Sequence, residues 1–542
     1  MEKLAAIVNK ITEKEISPSQ CAMIFLALLT LRNFIEQFVA LSLPITFQES
    51  VIELLHNLYF FLLAYILIWI FLSFVLKLKP QKLAFLMTGA FFLMLVPPIV
   101  DMIKTGGEIF WSFYLLGGPK DLARYFISVF GNLPSGIVYF GTRITFLAAI
   151  GLISIFVFLK TRNWGKAALS GLGTYLILFF MGAFPSIFFF FYNFFSGKIK
   201  ILDIQGFHVV QLFGAPGKVL GVAFESIRYS FAWKLDLIYF PFLVCLLGVL
   251  FYLINREKFW AMLKNLRFPQ LFYHSGLFFI GIGLGYLSYS QNFALNIFSF
   301  SAAGTLLISI WLAWASSVAM NDIYDFGIDS ISNPERPLPQ KIFNVKEYAE
   351  LGVILFLLSL LGAITIGFPF AVLILVYTIL AYFYSNPPFR LKKFPLVATL
   401  ISSLALIMIL FLGYILMSGD QTIHSLPWRI TLLLLITYTI SLPIKDFKDI
   451  KGDKRYGIWT IPVIFGEKRA RLMVAINIFI SYILSVFFLN ELKLFWWAML
   501  FGTLTFLVVV SPKIKPRRLF WPVLGLVSSY GLILVKIVFM QN

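Results

Sequence analysis

Fifteen apolar stretches decide what this chain can become. They lie near residues 21–45, 58–76, 83–100, 137–159, 167–193 and 237–254, and then near 275–289, 296–320, 348–368, 370–385, 396–417, 428–444, 472–489, 493–510 and 519–540. Each approaches the ~20 residues that a helix needs to cross a bilayer. Lipid offers the backbone no hydrogen-bond partner, so only helices or closed barrels can cross it. The stretches lack the period-two alternation of barrel strands, which leaves helices. The expected fold is an all-α polytopic membrane protein with about 15 transmembrane helices. Composition agrees: 60% of the 542 residues are hydrophobic and 13% charged, where about a quarter of a soluble chain is charged. A soluble regulator, a secreted scaffold and a disordered tail are excluded. Cys21 and Cys245 both sit in apolar runs, so neither a disulfide framework nor a cysteine metal cluster is expected.

The formal net charge is +19. No basic soluble domain accompanies it, so nucleic acid is not an expected partner. In a membrane protein basic residues collect in cytoplasmic loops. Segments 255–272, 321–346, 386–395, 445–471 and 511–518 hold 22 Lys and Arg, whereas 290–295, 369 and 418–427 hold none. That asymmetry places the first set in the cytoplasm, with nine crossings between residue 256 and the C-terminus. The segment NREKFWAMLKNLRFPQ (255–270) is polar, basic and proline-containing, and reads as a boundary. Before it, parity favours about six spans in residues 1–255, with a short amphipathic surface helix in the first twenty. The long segments 101–136 and 194–236 read as interfacial helices. Arg32 and Glu36, one turn apart in the first span, are either a mutual ion pair or part of a shallow interfacial helix.

Two acidic clusters carry the chemistry. One span runs into NDIYDFGIDSISNPERPLP, with Asp322, Asp325 and Asp329; another runs into KDFKDIKGDKRYGIWTIP, with Asp446, Asp449 and Asp453. Both read D-x2-D-x3-D. Steps of three and four residues stack side chains on one helical face, so each helix is expected to run past the bilayer edge and aim three carboxylates one way. Like charges so close repel one another unless a cation sits among them. Oxygen-only ligands without His or Cys suit a hard cation, and Mg²⁺ commonly joins carboxylates to substrate phosphates. Asn321 adds a carbonyl oxygen, and Arg336, Lys445, Lys448, Lys454 and Arg455 surround the carboxylates. Mixed acid and base is what a metal–diphosphate site needs. A solvated helix end would explain one cluster more easily than two of identical spacing. A cation or lipid transporter is the competing reading, although such sites usually lie near the bilayer midplane.

On these residues the second half, about 262–542, resembles the UbiA superfamily of intramembrane prenyltransferases. Asn321, Asp322, Asp325 and Asp329, followed by Asn333, Pro334, Arg336 and Pro337, match its first motif; Asp446, Asp449 and Asp453, with Gly452 and Gly457, match its second. YSNPPFRLKK (384–393) is similar to its Tyr-Ser, Pro-Pro, Arg-Leu-Lys element. The resemblance implies a nine-helix bundle over 256–542, fused to an N-terminal membrane domain (1–255) of unassigned role. It implies Mg²⁺-dependent transfer of an isoprenoid chain from a polyprenyl diphosphate to a lipid or aromatic acceptor, with release of pyrophosphate. The six aspartates would be the catalytic set and, with Asn321, would hold the metal. Asn321, Arg336, Tyr384, Arg390, Lys392 and Lys445 would bind substrate; Tyr384 could face a developing carbocation or serve as an interfacial anchor. Asp449 or Asp453 could act as base. The second motif looks closer to the branch acting on glycerol-lipid, homogentisate or chlorophyll-type acceptors. Loop 326–346 is a candidate lid. The expected location is the cytoplasmic membrane, with the site facing the cytoplasm. Gly281, Gly283 and Gly285 read as a helix-packing run, and His56, His208, His274 and His424 as bland.

Overall fold

A computed structural model describes residues 2–39, 46–106, 117–129, 140–215, 217–224, 227–294 and 296–539. Among the described residues fifteen helices are long and apolar enough to cross a membrane. The protein is an all-α integral membrane protein, with one short hairpin of Gly217–Val219 and Val222–Phe224. It divides into two compact units, Met1–Gly217 with Ala223–Arg256, and Lys218–Val222 with Glu257–Asn542.

The first unit begins with a helix, Glu2–Glu13. Phe47–Leu76 packs against Ile227–Ile254 and Trp164–Gly182, and Phe140–Thr161 packs against Trp164–Gly182. The single stretch expected at 167–193 is two helices, Trp164–Gly182 and Phe184–Ser196. Pro185 sits in the first turn of the second, where its missing N–H costs nothing. Arg32 and Glu36 form an ion pair at 2.7 Å. His56, read as bland, pairs through Nδ1 with Asp236 Oδ1 at 2.9 Å. Within the long segments the helices Pro119–Ile127 and Gly206–Gly214 are seen, and 107–116 and 130–139 lie outside the described residues.

In the second unit the spans are Phe268–Ser288, Ile297–Tyr324, Val345–Ile366, Phe368–Ser385, Pro395–Met417, Trp428–Lys448, Ile461–Leu489, Leu492–Val510 and Pro516–Val538. Sequence neighbours pack together, most closely Ile297–Tyr324 with Val345–Ile366 and Ile461–Leu489 with Phe495–Val510. Asn296 caps the first of these by accepting the Ser299 N–H at 2.9 Å. Asn344 and Glu347 form a capping box on Val345–Ile366. Phe268–Ser288 also lies along Pro395–Met417, and there its glycines matter. A Cβ on Gly281 would stand 2.2 Å from the Leu410 carbonyl oxygen, and one on Gly413 2.1 Å from that of Phe278. Gly283, two residues along, meets nothing within 4 Å. The glycine run is therefore a packing face at Gly281 and Gly285, one turn apart, and Gly283 points elsewhere.

Substitution should follow that division. Gly413→Leu and Gly281→Leu should each destabilise the detergent-solubilised protein by about 1–3 kcal/mol through overpacking. Gly283→Leu should leave it unchanged. Thermal melts followed by size-exclusion chromatography test this, and equal loss at Gly283 would refute the assignment of faces.

Candidate active site

Both acidic motifs sit on broken helices. Ile297–Tyr324 ends at Asp325, which has φ −100° and ψ 10°, and a short helix, Phe326–Ser332, follows. In the second motif a 3₁₀ turn, Leu442–Lys448, ends at Asp449, with φ −106° and ψ 4°, before the helix Ile450–Arg455. The middle aspartate of each motif is thus the joint. Aspartate is a poor helix former because its short side chain competes for local backbone groups. The ladder survives the first break, since Asp325 N–H donates to the Asn321 carbonyl at 2.9 Å and Asp329 N–H to that of Asp325 at 2.8 Å. The expectation of three carboxylates on one straight face is corrected accordingly: each motif bends at its centre.

The two short helices touch. Gly452 N–H donates to Ser332 Oγ at 3.1 Å, and a Cβ on Gly452 would lie 2.5 Å from that oxygen. Asn333 ties the motifs together, its Nδ2 donating to Asp329 Oδ1 at 2.9 Å and Asp449 Oδ1 at 3.0 Å.

Asn321, Asp325, Asp329, Asp446, Asp449 and Asp453 line one cavity, together with Arg336, Tyr384, Lys392 and Lys445. Asp322 is not among them. It is 1% exposed and is held by Arg267 at 2.6 Å, Arg336 at 3.1 Å, Asn265 Nδ2 at 2.6 Å and the Tyr348 hydroxyl at 3.3 Å. Its lone pairs are taken, so its place is behind the cavity, positioning two arginines. The other first-motif carboxylates are also engaged. Arg336 pairs with Asp329, Lys392 pairs with Asp325, and Arg390 reaches Asp325 at 3.3 Å. Asn321 Nδ2 donates to Asp325 Oδ2 at 2.7 Å and Ser385 Oγ at 3.1 Å. Lys445 lies over the Tyr384 ring, 4.7 Å from its centroid. Within loop 326–346, Asp329, Asn333 and Arg336 bond to the two motifs.

The second motif differs. The side-chain carboxylates of Asp446 and Asp453 have neither hydrogen bond nor ion pair among the described residues. Burial pushes the Asp453 carboxyl up to about 8, and Asp449 and Asp446 push it the same way. Burial raises Asp329 to about 6 despite its arginine. Burial likewise lowers Lys392, with Asp325 opposing. Burial works against the Arg336 charge too, but Asp322 and Asp329 outweigh it and hold its pKa above the ordinary value. Among the described residues no three His, Cys, Asp or Glu side chains converge tightly enough to hold a metal by themselves. The donors nonetheless fit a cation of the Mg²⁺ kind, which uses one or two carboxylates and takes its remaining ligands from water and phosphate. The carboxylates of buried Asp453 and half-buried Asp446, without a protein partner, are the groups such an ion would relieve.

Sequence reasoning missed Asn265 and Arg267, which lay in a segment read as a boundary. Arg267 sits at the start of Phe268–Ser288, and only folding brings it to Asp322. It also missed His274, buried on the cavity wall with Nε2 3.1 Å from the Tyr377 hydroxyl. Away from the carboxylates the wall turns apolar, through Leu380, Ile401, Ala405 and Leu406.

Residues 277–519 match the UbiA prenyltransferase family model. This region is a UbiA prenyltransferase family domain. The chain is 30% identical over 179 residues to digeranylgeranylglyceryl phosphate synthase of Methanosphaera stadtmanae, covering 33% of this chain and 63% of that protein. The corresponding Sulfolobus acidocaldarius synthase is 33% identical over 183 residues, covering 32% and 63%. The chain thus spans somewhat under two thirds of the length of these relatives. A UbiA homolog from Archaeoglobus fulgidus bound to DMAPP and Mg²⁺ aligns with a TM-score of 0.39 and 21% identity, over 51% of this chain and 99% of that one.

The UbiA domain's two motifs should answer differently to neutralisation. Asp322→Asn breaks a buried network and should cost roughly 3–5 kcal/mol of stability in the ligand-free protein. Asp446→Asn removes an unpartnered charge and should leave the melting temperature unchanged or raise it. Matched losses in thermal melts at both positions would overturn the division of roles.

Proposed function

We propose that this protein catalyses Mg²⁺-dependent transfer of an isoprenoid chain from a polyprenyl diphosphate to a lipophilic acceptor, releasing pyrophosphate. The observation that carries this reading is the cavity itself: five carboxylates from two separate motifs at one end, and an apolar wall beyond. The charged diphosphate suits the polar end and the isoprenoid tail suits Leu380, Ile401 and Leu406. Mg²⁺, when bound by Asp446, Asp449 and Asp453 with Asn321, Asp325 and Asp329 opposite, would neutralise diphosphate charge and improve the leaving group. Arg390, Lys392, Lys445 and Arg336 take up the remaining phosphate charge. Tyr384 lines the same cavity, with Lys445 4.7 Å from its ring centroid, and its π-face suits a developing carbocation. The apolar wall excludes water, which would otherwise consume the donor. Asp449 or Asp453 serves as base where the acceptor must lose a proton.

The names of the archaeal relatives support a glyceryl phosphate lipid already carrying one isoprenoid chain as acceptor. The Lys/Arg bias supports residence in the cytoplasmic membrane with the motifs facing the cytoplasm. We assign residues 1–255 as an accessory membrane domain, and 256–542 as the transferase.

The test is pyrophosphate release by the detergent-solubilised full-length protein. Allylic diphosphates of several chain lengths would be supplied with a prenylated glyceryl phosphate, in Mg²⁺ or EDTA. Release should require Mg²⁺, and Asp446→Asn or Asp453→Asn should lower it by about 10²-fold. Labelled product identifies the acceptor. Cation or lipid flux in sealed vesicles without pyrophosphate release would favour a transporter and defeat this reading.

A further inference from the structure

A second cavity, about 450 Å³ in volume, adjoins the same arginines. It is bounded by Trp260 and Lys264 on the Arg256–Lys264 helix, by the 333–342 loop, and by Lys448. Arg267, Arg336 and Lys448 line both cavities. Its four cations, Lys264, Arg267, Arg336 and Lys448, face two carboxylates, Glu257 and Glu335. Glu335 is 61% exposed on its side chain and turns toward Arg517 at 3.9 Å. The ammonium groups of Lys264 and Lys448 have neither hydrogen bond nor ion pair among the described residues, and Arg267 Nε is buried without a hydrogen-bond partner.

The carboxylate cavity needs a metal before it can hold an anion, because Asp446, Asp449 and Asp453 repel one. This chamber does not. Asp322 and Asp329 pair with Arg267 and Arg336, fixing their guanidinium groups, and the ammonium groups of Lys264 and Lys448 line the chamber beside them. Guanidinium groups fixed and partly desolvated in this way, with Lys448 half-buried and Lys264 exposed at the mouth, bind phosphate-type oxyanions well.

We propose that this chamber is a metal-independent binding site for a phosphate-type oxyanion, taking either the acceptor's phosphate or the departing pyrophosphate. The choice of source rests on the prenyl-transfer reading; the affinity for phosphate does not. If it is the acceptor's phosphate, donor and acceptor heads would share one row of cations, Arg267, Arg336 and Lys448.

The first arm uses no turnover. The full-length protein in EDTA is treated with an amine-acylating reagent, and modification of Lys264 is followed by mass spectrometry. Inorganic phosphate and pyrophosphate should protect Lys264 but leave exposed Lys451 unaffected. Protection should persist in Asp446→Asn and Asp453→Asn. No protection by either anion, or protection lost with those aspartates, would overturn the chamber. Lys264→Gln should weaken binding of both anions to the chamber about tenfold, the loss of one charge-assisted contact, read calorimetrically in EDTA. The second arm uses turnover. A rise of about tenfold in KM for a phosphate-bearing acceptor in Lys264→Gln, with donor KM unchanged, assigns the acceptor's phosphate. A rise only in the pyrophosphate inhibition constant assigns the leaving group. Should no turnover be found, the binding arm still decides the chamber, and that failure then belongs to the prenyl-transfer reading alone.

Discussion

A carboxylate carried into the low-dielectric end of a helical bundle must be paired, protonated or held by a cation. The second unit is arranged around that constraint. Six aspartates arrive on two chain segments more than a hundred residues apart. Asn333 joins the two groups by hydrogen bonds to Asp329 and Asp449. Gly452 lets the short helices approach closely enough for that bridge to form. Bending each motif at its middle aspartate allows the two short helices to meet while their parent helices remain apart.

The two motifs meet the constraint in different ways, although their spacing is the same. The first is neutralised by the protein: Arg267 and Arg336 on Asp322, Arg336 on Asp329, Lys392 and Arg390 on Asp325. The second leaves Asp446 and Asp453 without a direct partner, and burial drives the Asp453 carboxyl toward its protonated form. One motif is therefore scaffold as much as site, and the other is held open at an energetic cost. A carboxyl group left at a cavity without a protein partner is placed where a cation can complete it.

The helices were legible in the sequence because hydropathy over twenty residues is a local property that lipid enforces. The six aspartates were legible for a similar reason, being a short pattern repeated within one chain. What could not be read was which residues answer them. Arg267 and Asn265 sit in a basic stretch whose composition is that of any cytoplasmic loop, and only the packing of Phe268–Ser288 brings them to Asp322. The withdrawal of Asp322 from the cavity was equally hidden, because spacing on an ideal helix cannot foresee a break at Asp325. The split at Gly182–Pro185 belongs to the same class, a local break inside an unbroken apolar run.

The treatment of buried charge also separates the roles of the two units. In the first, Arg32 holds Glu36, His56 meets Asp236, and the Gly141 N–H donates to Asp101 at 2.7 Å. Those carboxylates are answered from within their own unit, as polar groups that lock membrane helices together usually are. In the second unit the carboxylates of Asp446 and Asp453 have no hydrogen bond or ion pair among the described residues, and both line a cavity. Intramembrane charge alone therefore does not locate chemistry in this protein. Charge that its own fold leaves unanswered does, and that criterion selects the end of the second unit where Asp446, Asp453 and Lys448 lie.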